Sequence, residues 1–193
     1  MTRNRVRVTA ATLAMVVCCA GVARSQGTAA SWLDEPQPEP WNQPRLPIPA
    51  ATRVQEGADH RCRALARPPQ LDEDERLHEQ GWDLVGPFQG GWQMLVIRGT
   101  AGYDGMCRPR QFQDFVFLRG AFAGTLSPRA MDSRSDGALR RVSLQGPSRL
   151  MAEYDRYAAT DPLCCPSRTT IVVFDVPSDG QALRPVSVST TGR

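Results

Sequence analysis

Two adjacent cysteines, Cys164 and Cys165, constrain the fold of this 193-residue chain more than any other feature. A bond between neighbours would close an eight-membered ring, which is rare, so each sulfur is expected to find a distant partner. Residues 1–25 look like a secretory signal peptide, and beyond them the remaining cysteines are Cys62 and Cys107. An even cysteine count in an exported protein favours disulfides over free thiols. The sequence therefore predicts two disulfides that fasten one point of the chain to two distant segments.

The sequence does not determine which cysteine of the doublet takes which partner. The preferred assignment joins Cys107 to Cys164 and Cys62 to Cys165. In extended backbone the side chains of a doublet point to opposite faces, so the two bonds would hold different segments. Each bond would close a long loop, which the chain-entropy model values at about 4–5 kcal/mol.

Two other roles for the cysteines fit their spacing less well. Zinc ligands usually come in pairs two to four residues apart, whereas only His60 with Cys62 and the doublet itself are close here. Redox exchange prefers a Cys-x-x-Cys motif at a helix start, and Pro162 and Pro166 disfavour a helix around the doublet. Structural disulfides remain the preferred interpretation.

Residues 1–25 have the three parts of a secretory signal peptide, with arginines before an uncharged apolar run. Cleavage is expected before Gln26. The alternatives are an uncleaved anchor or a lipid on Cys18 or Cys19, although neither follows the small residue that lipid attachment favours. The sequence predicts a periplasmic or secreted bacterial protein without an integral membrane segment after cleavage, and lipid anchoring is the less favoured alternative.

Removal of the signal peptide changes the charge of the chain. The full sequence has 23 basic and 20 acidic residues, and four of the arginines lie in the signal, so the mature chain is close to neutral. Nucleic-acid-binding domains normally carry a net positive charge, so no nucleic-acid partner is expected. Every basic residue is arginine, which excludes a mechanism that needs a lysine nucleophile or Schiff base.

The mature chain divides by composition into three parts. Residues 26–56 are rich in proline and poor in aliphatic side chains, which predicts an extended or disordered segment. Its Trp32 and Trp41 are unfavourable in water, and the sequence leaves open whether they dock on the domain. Residues 57–177 are predicted to form a globular β-rich domain, and residues 178–193 a C-terminal edge strand or tail.

The globular part begins with a predicted surface helix over residues 70–81, because prolines precede it, acids occupy its first turn and Gly81 ends it. Short strands with turn residues follow, including turns at 89–91 and 119–120. A helix is the alternative for residues 150–157. The predicted strands are 82–88, 92–98, 112–118, 122–126, 138–144, 150–158 and 169–176, with a further edge strand over 183–188.

Short connections require antiparallel neighbours, because a parallel pair needs a crossover of a dozen or more residues. The predicted fold class is α+β and mainly antiparallel β. We expect a curved sheet of six to seven strands or a partly closed barrel, with one N-terminal surface helix and disulfide staples.

The segment Asp-Pro-Leu-Cys-Cys-Pro-Ser at 161–167, followed by the apolar strand at 169–174, resembles a segment of the LppP/LprE family of exported bacterial proteins. The stretch at 117–125, Phe-Leu-Arg-Gly-Ala-Phe-Ala-Gly-Thr, is similar to the same family. The resemblance covers residues 92–176. It implies an exported protein without an established enzymatic activity, and it does not extend to membrane anchoring, because a convincing lipid-attachment cysteine is missing.

The sequence has no recognisable catalytic motif. His60 and His78 are the only histidines, and neither a Gly-x-Ser-x-Gly nucleophile turn nor a phosphate-binding loop occurs. Residues 132–137 look like part of a calcium loop but lack the flanking helices and final glutamate of an EF-hand, which favours a solvated turn. No cofactor and no metal are expected. The scattered carboxylates are Asp83, Asp104, Asp114, Asp132, Asp136, Glu153, Asp155 and Asp161.

Two classes of function remain. The preferred hypothesis is a non-catalytic binding or structural module of the cell envelope, with an unknown envelope ligand or protein as its partner and Trp82, Trp92 and Tyr103 as its binding surface. The alternative is an envelope hydrolase whose site is built from the scattered carboxylates. A pocket with two carboxylates of shifted pKa would favour the hydrolase, and an aromatic-lined groove would favour binding.

Overall fold

The computed structural model describes residues 31–53, 59–162, 164–178 and 182–192, without the side chains of Asp59 and His60. The predicted signal peptide, with Cys18 and Cys19, lies outside the described residues. The helices are α1 (Asp59–Cys62) and α2 (Asp72–Glu79), and two 3-10 turns cover Trp32–Asp34 and Arg63–Leu65. The strands are β1 (Ala66–Arg67), β2 (Asp83–Val85), β3 (Gln89–Gly91), β4 (Met94–Tyr103), β5 (Pro109–Leu118), β6 (Ala121–Thr125), β7 (Ala138–Leu144), β8 (Arg149–Arg156), β9 (Arg168–Asp175) and β10 (Arg184–Gly192).

The strands form two antiparallel sheets, so the prediction of one curved sheet or a partly closed barrel is wrong. The first sheet has the order β1-β2-β4-β5-β6, and β3 also pairs with β4; the second has the order β10-β9-β8-β7. The first sheet ends at β6. The outer edge of β6 is occupied, because Leu183 donates to the carbonyl of Ala123 and Asn42 binds the main chain of Thr125. With that edge covered, β7 pairs with β8 and starts a second sheet.

The main core lies between the two sheets. Strand β8 alternates as predicted: Leu150, Ala152 and Tyr154 are buried, whereas Met151 and Glu153 are partly exposed, so the helical alternative for this segment is wrong. Such alternation places one face of a strand on the core and the other toward solvent. The other main members of this core are Met94, Val96, Phe112, Val116, Leu139, Val172, Phe174 and Leu183.

The opposite face of the first sheet carries a second core under helix α2. Leu77 of the helix packs there with Trp82, Phe115 and Phe117, all with at most 1% of their surface exposed. The helix lies within the predicted range, and its first turn holds the four consecutive acids that suit a helix N-terminus. Within the described ranges no helix has the length and apolar character needed to cross a bilayer.

The proline-rich segment packs on the domain. We call its described part, residues 31–53, the strap. Trp32 and Leu33 are buried in the core between the sheets, and Ile48 and Ala51 pack against the second core on the other side. The indole of Trp32 lies edge-on to that of Trp41, with ring centroids 5.1 Å apart. The strap therefore runs from one core around the β6 edge to the other.

The disulfide pairing differs from the preferred assignment. Cys62 bonds to Cys107, with their Cα atoms 5.1 Å apart, and Cys164 bonds to its neighbour Cys165. Cys62 ends α1, which contacts β4, and Cys107 lies in the turn after β4. The doublet lies between β8 and β9. The first bond lies beside a strand of the first sheet, whereas the doublet lies between two strands of the second. The predicted bonds from the doublet to Cys62 and Cys107 are therefore wrong.

The two predicted hairpin turns had different outcomes. The turn at Arg119-Gly120 between β5 and β6 is confirmed, with positive φ at both residues. The turn predicted at 89–91 is wrong, because these residues form strand β3 and the chain reverses at Trp92-Gln93. Those residues have φ of 54° and 60°, the left-handed backbone of a tight two-residue turn.

Candidate functional site

Asn42 of the strap forms the tightest link between the strap and the domain. Its side-chain oxygen accepts a hydrogen bond from the main-chain N–H of Thr125 at 2.8 Å. Its amide nitrogen donates to the carbonyls of Thr125 at 3.0 Å and Leu183 at 3.1 Å. The neighbouring Trp41 indole also donates to the carbonyl of Thr125, at 3.1 Å. The side chain thereby satisfies main-chain groups of the β6 edge that would otherwise be buried without partners.

A cavity of about 530 Å³ lies between the strap and the first sheet. Its volume is in the range of small-molecule sites. The strap supplies the outer wall, and β5, β6 and the loop after β6 supply the inner one. The described lining residues are Trp41, Asn42, Leu46, Pro47, Pro49, Ala50, Thr52, Trp82, Gln111, Gln113, Phe122, Thr125, Pro128, Arg129 and Ala130.

The polar part of this lining consists mostly of neutral groups. Gln113 is buried and donates to the carbonyl of Ser127 at 3.1 Å, so its amide is held in one orientation. Gln111 has a φ of 52°, an uncommon left-handed backbone for a residue other than glycine. Residues held in such conformations are frequent at ligand sites. The charged Arg129 is paired with Asp136 at 3.2 Å. No carboxylate or histidine is among the described lining residues.

The three aromatic residues of the predicted binding surface do not lie on one surface. Trp82 is 1% exposed and donates its indole N–H to the carbonyl of Pro49 at 2.7 Å, which holds the strap over the cavity. Tyr103 is 2% exposed at the end of β4. Trp92 is 64% exposed, and it lines a second cavity of about 320 Å³ with Leu118, Pro147 and Pro177.

Another buried carboxylate, Asp114, lies away from these two cavities and borders a smaller one of about 200 Å³ beside Arg98 and Arg140. Asp114 accepts a hydrogen bond from Arg98 at 2.9 Å, and Arg98 also donates to the carbonyl of Leu139 in the second sheet. Burial raises the pKa of Asp114, although the Arg98 guanidinium opposes this effect. Burial, with a further contribution from the charge of Asp114, raises the pKa of Tyr154 well above its ordinary value. This ion pair joins the two sheets.

The other scattered carboxylates are also bonded within the chain. Asp104 pairs with Arg108 and accepts hydrogen bonds from main-chain N–H groups. Burial by itself would raise the pKa of Asp104, but these hydrogen bonds outweigh burial and lower it. The partners of the others are Arg53 and Arg63 for Asp83, Arg110 for Asp132, Arg129 for Asp136, Arg140 and Arg141 for Glu153, Arg140 for Asp155, and the main chain of Ala158 and Ser167 for Asp161.

The carboxylates of the loop at 132–137 accept hydrogen bonds from within the loop and from β5. Asp132 accepts from the N–H of Arg134 at 2.9 Å and from the Arg110 guanidinium at 2.7 Å. Asp136 accepts from the N–H of Asp132 at 2.8 Å. Donors of the chain thus already bond to the carboxylate oxygens of this loop. In the part of the chain that the structure describes, no group of three metal-ligating side chains occurs.

Sequence reasoning missed Asn42 and Gln111. Nothing in the local pattern distinguishes Asn42 from other polar residues of a proline-rich segment, since its partners lie more than 80 residues away. Gln111 lies beside a predicted strand, and a left-handed glutamine has no sequence signature. The single available signal was the pair of tryptophans, which suggested that the strap has an apolar face.

Among the comparisons with known proteins, one family matches, and it covers part of the chain. No curated protein and no solved structure matches it. The family resemblance seen in the sequence is confirmed: residues 92–179, from the Trp92 turn through the cysteine doublet, match the family described as LppP/LprE lipoprotein.

Proposed function

We propose that this is an exported envelope protein that binds a small neutral ligand in the cavity under the strap, without transforming it. Export is supported by the lipoprotein description of the matching family and by the signal-like character of residues 1–25. Residues 92–179 supply the inner wall of the cavity with Gln111, Gln113 and Phe122. The strap, which lies outside that match, supplies the outer wall.

The lining of the cavity is the observation that carries this proposal. Trp41, Trp82, Phe122 and several prolines offer apolar surface, and the amides of Gln111 and Gln113 offer uncharged hydrogen-bonding groups. Small-molecule sites typically combine a mainly apolar wall with a few fixed polar groups. Such a lining favours a ligand that has both apolar faces and hydroxyl or amide groups and that carries no net charge.

The hydrolase alternative receives less support. A glycoside hydrolase needs two carboxylates facing each other across a cleft, one of them protonated as an acid. Each carboxylate considered from the sequence accepts hydrogen bonds or pairs with arginine, and Asp114, whose pKa is raised, is held by Arg98 between the sheets. Catalytic acids need to reach substrate, and these side chains are engaged in holding the fold.

Tryptophan fluorescence tests the proposal directly, because Trp41 and Trp82 line the cavity. The exported protein is titrated with two neutral probes, chitotriose as a glycan and monoolein as a glycerolipid, and binding is confirmed by calorimetry. We expect one probe to bind and to be recovered unchanged. Failure of both to bind at millimolar concentration, or turnover of either, would contradict the proposal.

A cavity-filling variant supplies the matched control. Ala50 is an exposed strap residue that lines the cavity, so Ala50→Phe should reduce probe affinity at least tenfold. Ala121→Phe adds the same side chain at an exposed position on β6 outside the cavity and should leave affinity unchanged. Equal effects of the two variants would show that binding occurs elsewhere.

A further inference from the structure

The two disulfides within the described residues differ in exposure. Cys62 has none of its surface exposed and ends α1, which contacts β4 of the first sheet. Cys164 and Cys165 are both exposed, in the loop that joins β8 to β9. A thiolate must reach a sulfur along an open path before it can exchange with a disulfide. The doublet is therefore open to reductants, while the Cys62–Cys107 bond is sheltered on at least one side.

The two bonds also differ in what they contribute to stability. Cys62 and Cys107 are 45 residues apart, so their bond removes considerable freedom from the unfolded chain. Cys164 and Cys165 are adjacent, and a bond between neighbours closes no loop of the unfolded chain. By the same chain-entropy argument it adds almost nothing to stability. Stabilisation of the fold is thus a poor explanation of the Cys164–Cys165 bond.

The shape of the loop around the doublet is held by a carboxylate instead. Asp161 accepts hydrogen bonds from the N–H of Ala158 at 2.7 Å, and from the N–H and the hydroxyl of Ser167, both at 2.8 Å. These bonds tie the two sides of the loop together across the cysteines. Cleavage of the S–S bond would leave this frame in place, with the two thiols still side by side.

Cationic groups border the same loop. Arg134 donates to the carbonyl of Asp161 at 3.2 Å and stacks on Tyr157, with its guanidinium carbon 4.2 Å from the ring centroid. Arg168 begins the strand after the doublet and donates to the carbonyl of Tyr157 at 3.1 Å. The Arg168 guanidinium thereby offsets the negative charge that the Asp161 carboxylate brings to this loop. Net negative charge beside a cysteine would disfavour the thiolate, which is the form that attacks and leaves in exchange.

We propose that Cys164–Cys165 is a thiol–disulfide exchange site, which a dithiol reductant outside the cytoplasm opens to a vicinal dithiol. A thiolate of the reductant attacks one sulfur of the doublet, breaks the S–S bond and forms a mixed disulfide; the released cysteine takes a proton from water. The second thiol of the reductant then attacks the mixed disulfide and frees the other cysteine. Two electrons pass to the doublet, and the reductant becomes a disulfide.

Differential alkylation of the full exported chain tests this proposal. The oxidised protein is equilibrated with graded dithiothreitol, alkylated with iodoacetamide and mapped by peptide mass spectrometry. We expect Cys164 and Cys165 to be alkylated at a dithiothreitol concentration at least tenfold below that needed for Cys62 and Cys107. Alkylation of all four at the same concentration, or of Cys62 and Cys107 first, would overturn the proposal.

Two further measurements separate an exchange site from a structural bond. Phenylarsine oxide, which bridges two neighbouring thiols, should bind one per molecule after mild reduction and block alkylation of the doublet. The melting temperature should change by less than about 2 °C on that reduction, since the bond closes no loop. A large fall in melting temperature, or no arsenical binding, would contradict the proposal.

Matched double variants complete the test. Cys164→Ser with Cys165→Ser should fold with an unchanged melting temperature and lose all arsenical binding after mild reduction. Cys62→Ser with Cys107→Ser should keep the arsenical binding while melting at a lower temperature. Arsenical binding that survives loss of the doublet would place the reactive thiols elsewhere and overturn the assignment.

Discussion

The side-chain amide of Asn42 occupies the space that a Cβ atom on Gly124 would fill. Gly124 has a φ of 134°, which lets β6 bring its main chain against the strap at this point. The same amide then binds the N–H and the carbonyl of the next residue, Thr125. Because Gly124 has no side chain, the Asn42 amide can reach the main chain of β6, and the two residues together attach the strap to the first sheet.

Asn42→Ala should destabilise the protein by about 2–4 kcal/mol, because it leaves the N–H of Thr125 and the carbonyl of Leu183 buried without partners. Urea unfolding followed by tryptophan fluorescence measures the change. Gln43→Ala, at the exposed neighbouring position, is the control and should change stability by less than about 0.5 kcal/mol. Equal effects of the two variants would mean that Asn42 does not hold the strap.

Gly124→Ala should cost at least about 2 kcal/mol, since the added methyl overlaps the Asn42 amide and alanine is strained at this φ. Gly105→Ala is the matched control, because a Cβ there meets no atom within 4 Å. In the double variant with Asn42→Ala the steric part of the cost should disappear, so the two losses should sum to more than the double loss. If the two losses of unfolding free energy simply added in the double variant, the proposed contact between Gly124 and Asn42 would be wrong.

The attachment of the strap should weaken in acid. Asp34 accepts hydrogen bonds from Arg156 at 2.6 and 3.1 Å, and these bonds hold the pKa of Asp34 below its ordinary value of 3.8. A carboxylate with a lowered pKa in the folded state stabilises it above the unfolded value, and that contribution is lost as pH falls through the folded value. The contribution of the ion pair to stability should therefore be complete above about pH 4, decline below that, and be gone once the pH lies below the lowered folded value.

Stability measured between pH 6 and pH 2 in the native chain and in Asp34→Asn checks this expectation. The variant should lose the part of the acid dependence that Asp34 contributes, so the two curves should converge at the acid end. Gln43→Ala, a change at an exposed and uncharged strap position, should leave the acid dependence of the native chain unaltered. A constant difference between the native chain and Asp34→Asn down to pH 2 would disprove the linkage.

Asp74→Ala should cost about 3 kcal/mol or more, because Asp74 is wholly buried and accepts two bonds from Arg67, at 2.6 and 2.7 Å, as well as one from the N–H of Gln70. Breaking a buried pair by removing one partner leaves the other charge uncompensated. Asp72→Ala is the control, since it removes an exposed acid from the same helix turn. Chemical denaturation should separate the two variants clearly; similar small losses would contradict the role of the pair.

Local pattern predicted the elements well where one residue type forces one geometry. Gly120 after Arg119 makes the two-residue turn between β5 and β6, and the alternation of β8 follows from its single buried face. The same logic failed at Gly90-Gly91, because glycine permits a turn without requiring one. The reversal falls instead on Trp92-Gln93, where Arg119 supports it by donating its N–H to the carbonyl of Gln93 at 2.8 Å.

The sequence by itself determined the β-rich class, the position of helix α2, the family match and the distinctive cysteine doublet, because each depends on neighbouring residues. Tertiary structure alone decided that there are two sheets, which cysteines pair, and that the strap closes a cavity. The two-sheet arrangement, the Cys62–Cys107 bond and the closed cavity depend on contacts across many tens of residues, such as that of Asn42 with Thr125. The buried N–H and C=O groups of a strand edge need hydrogen-bond partners, and these can come from any segment that reaches the edge. A local sequence pattern does not predict which segment that will be.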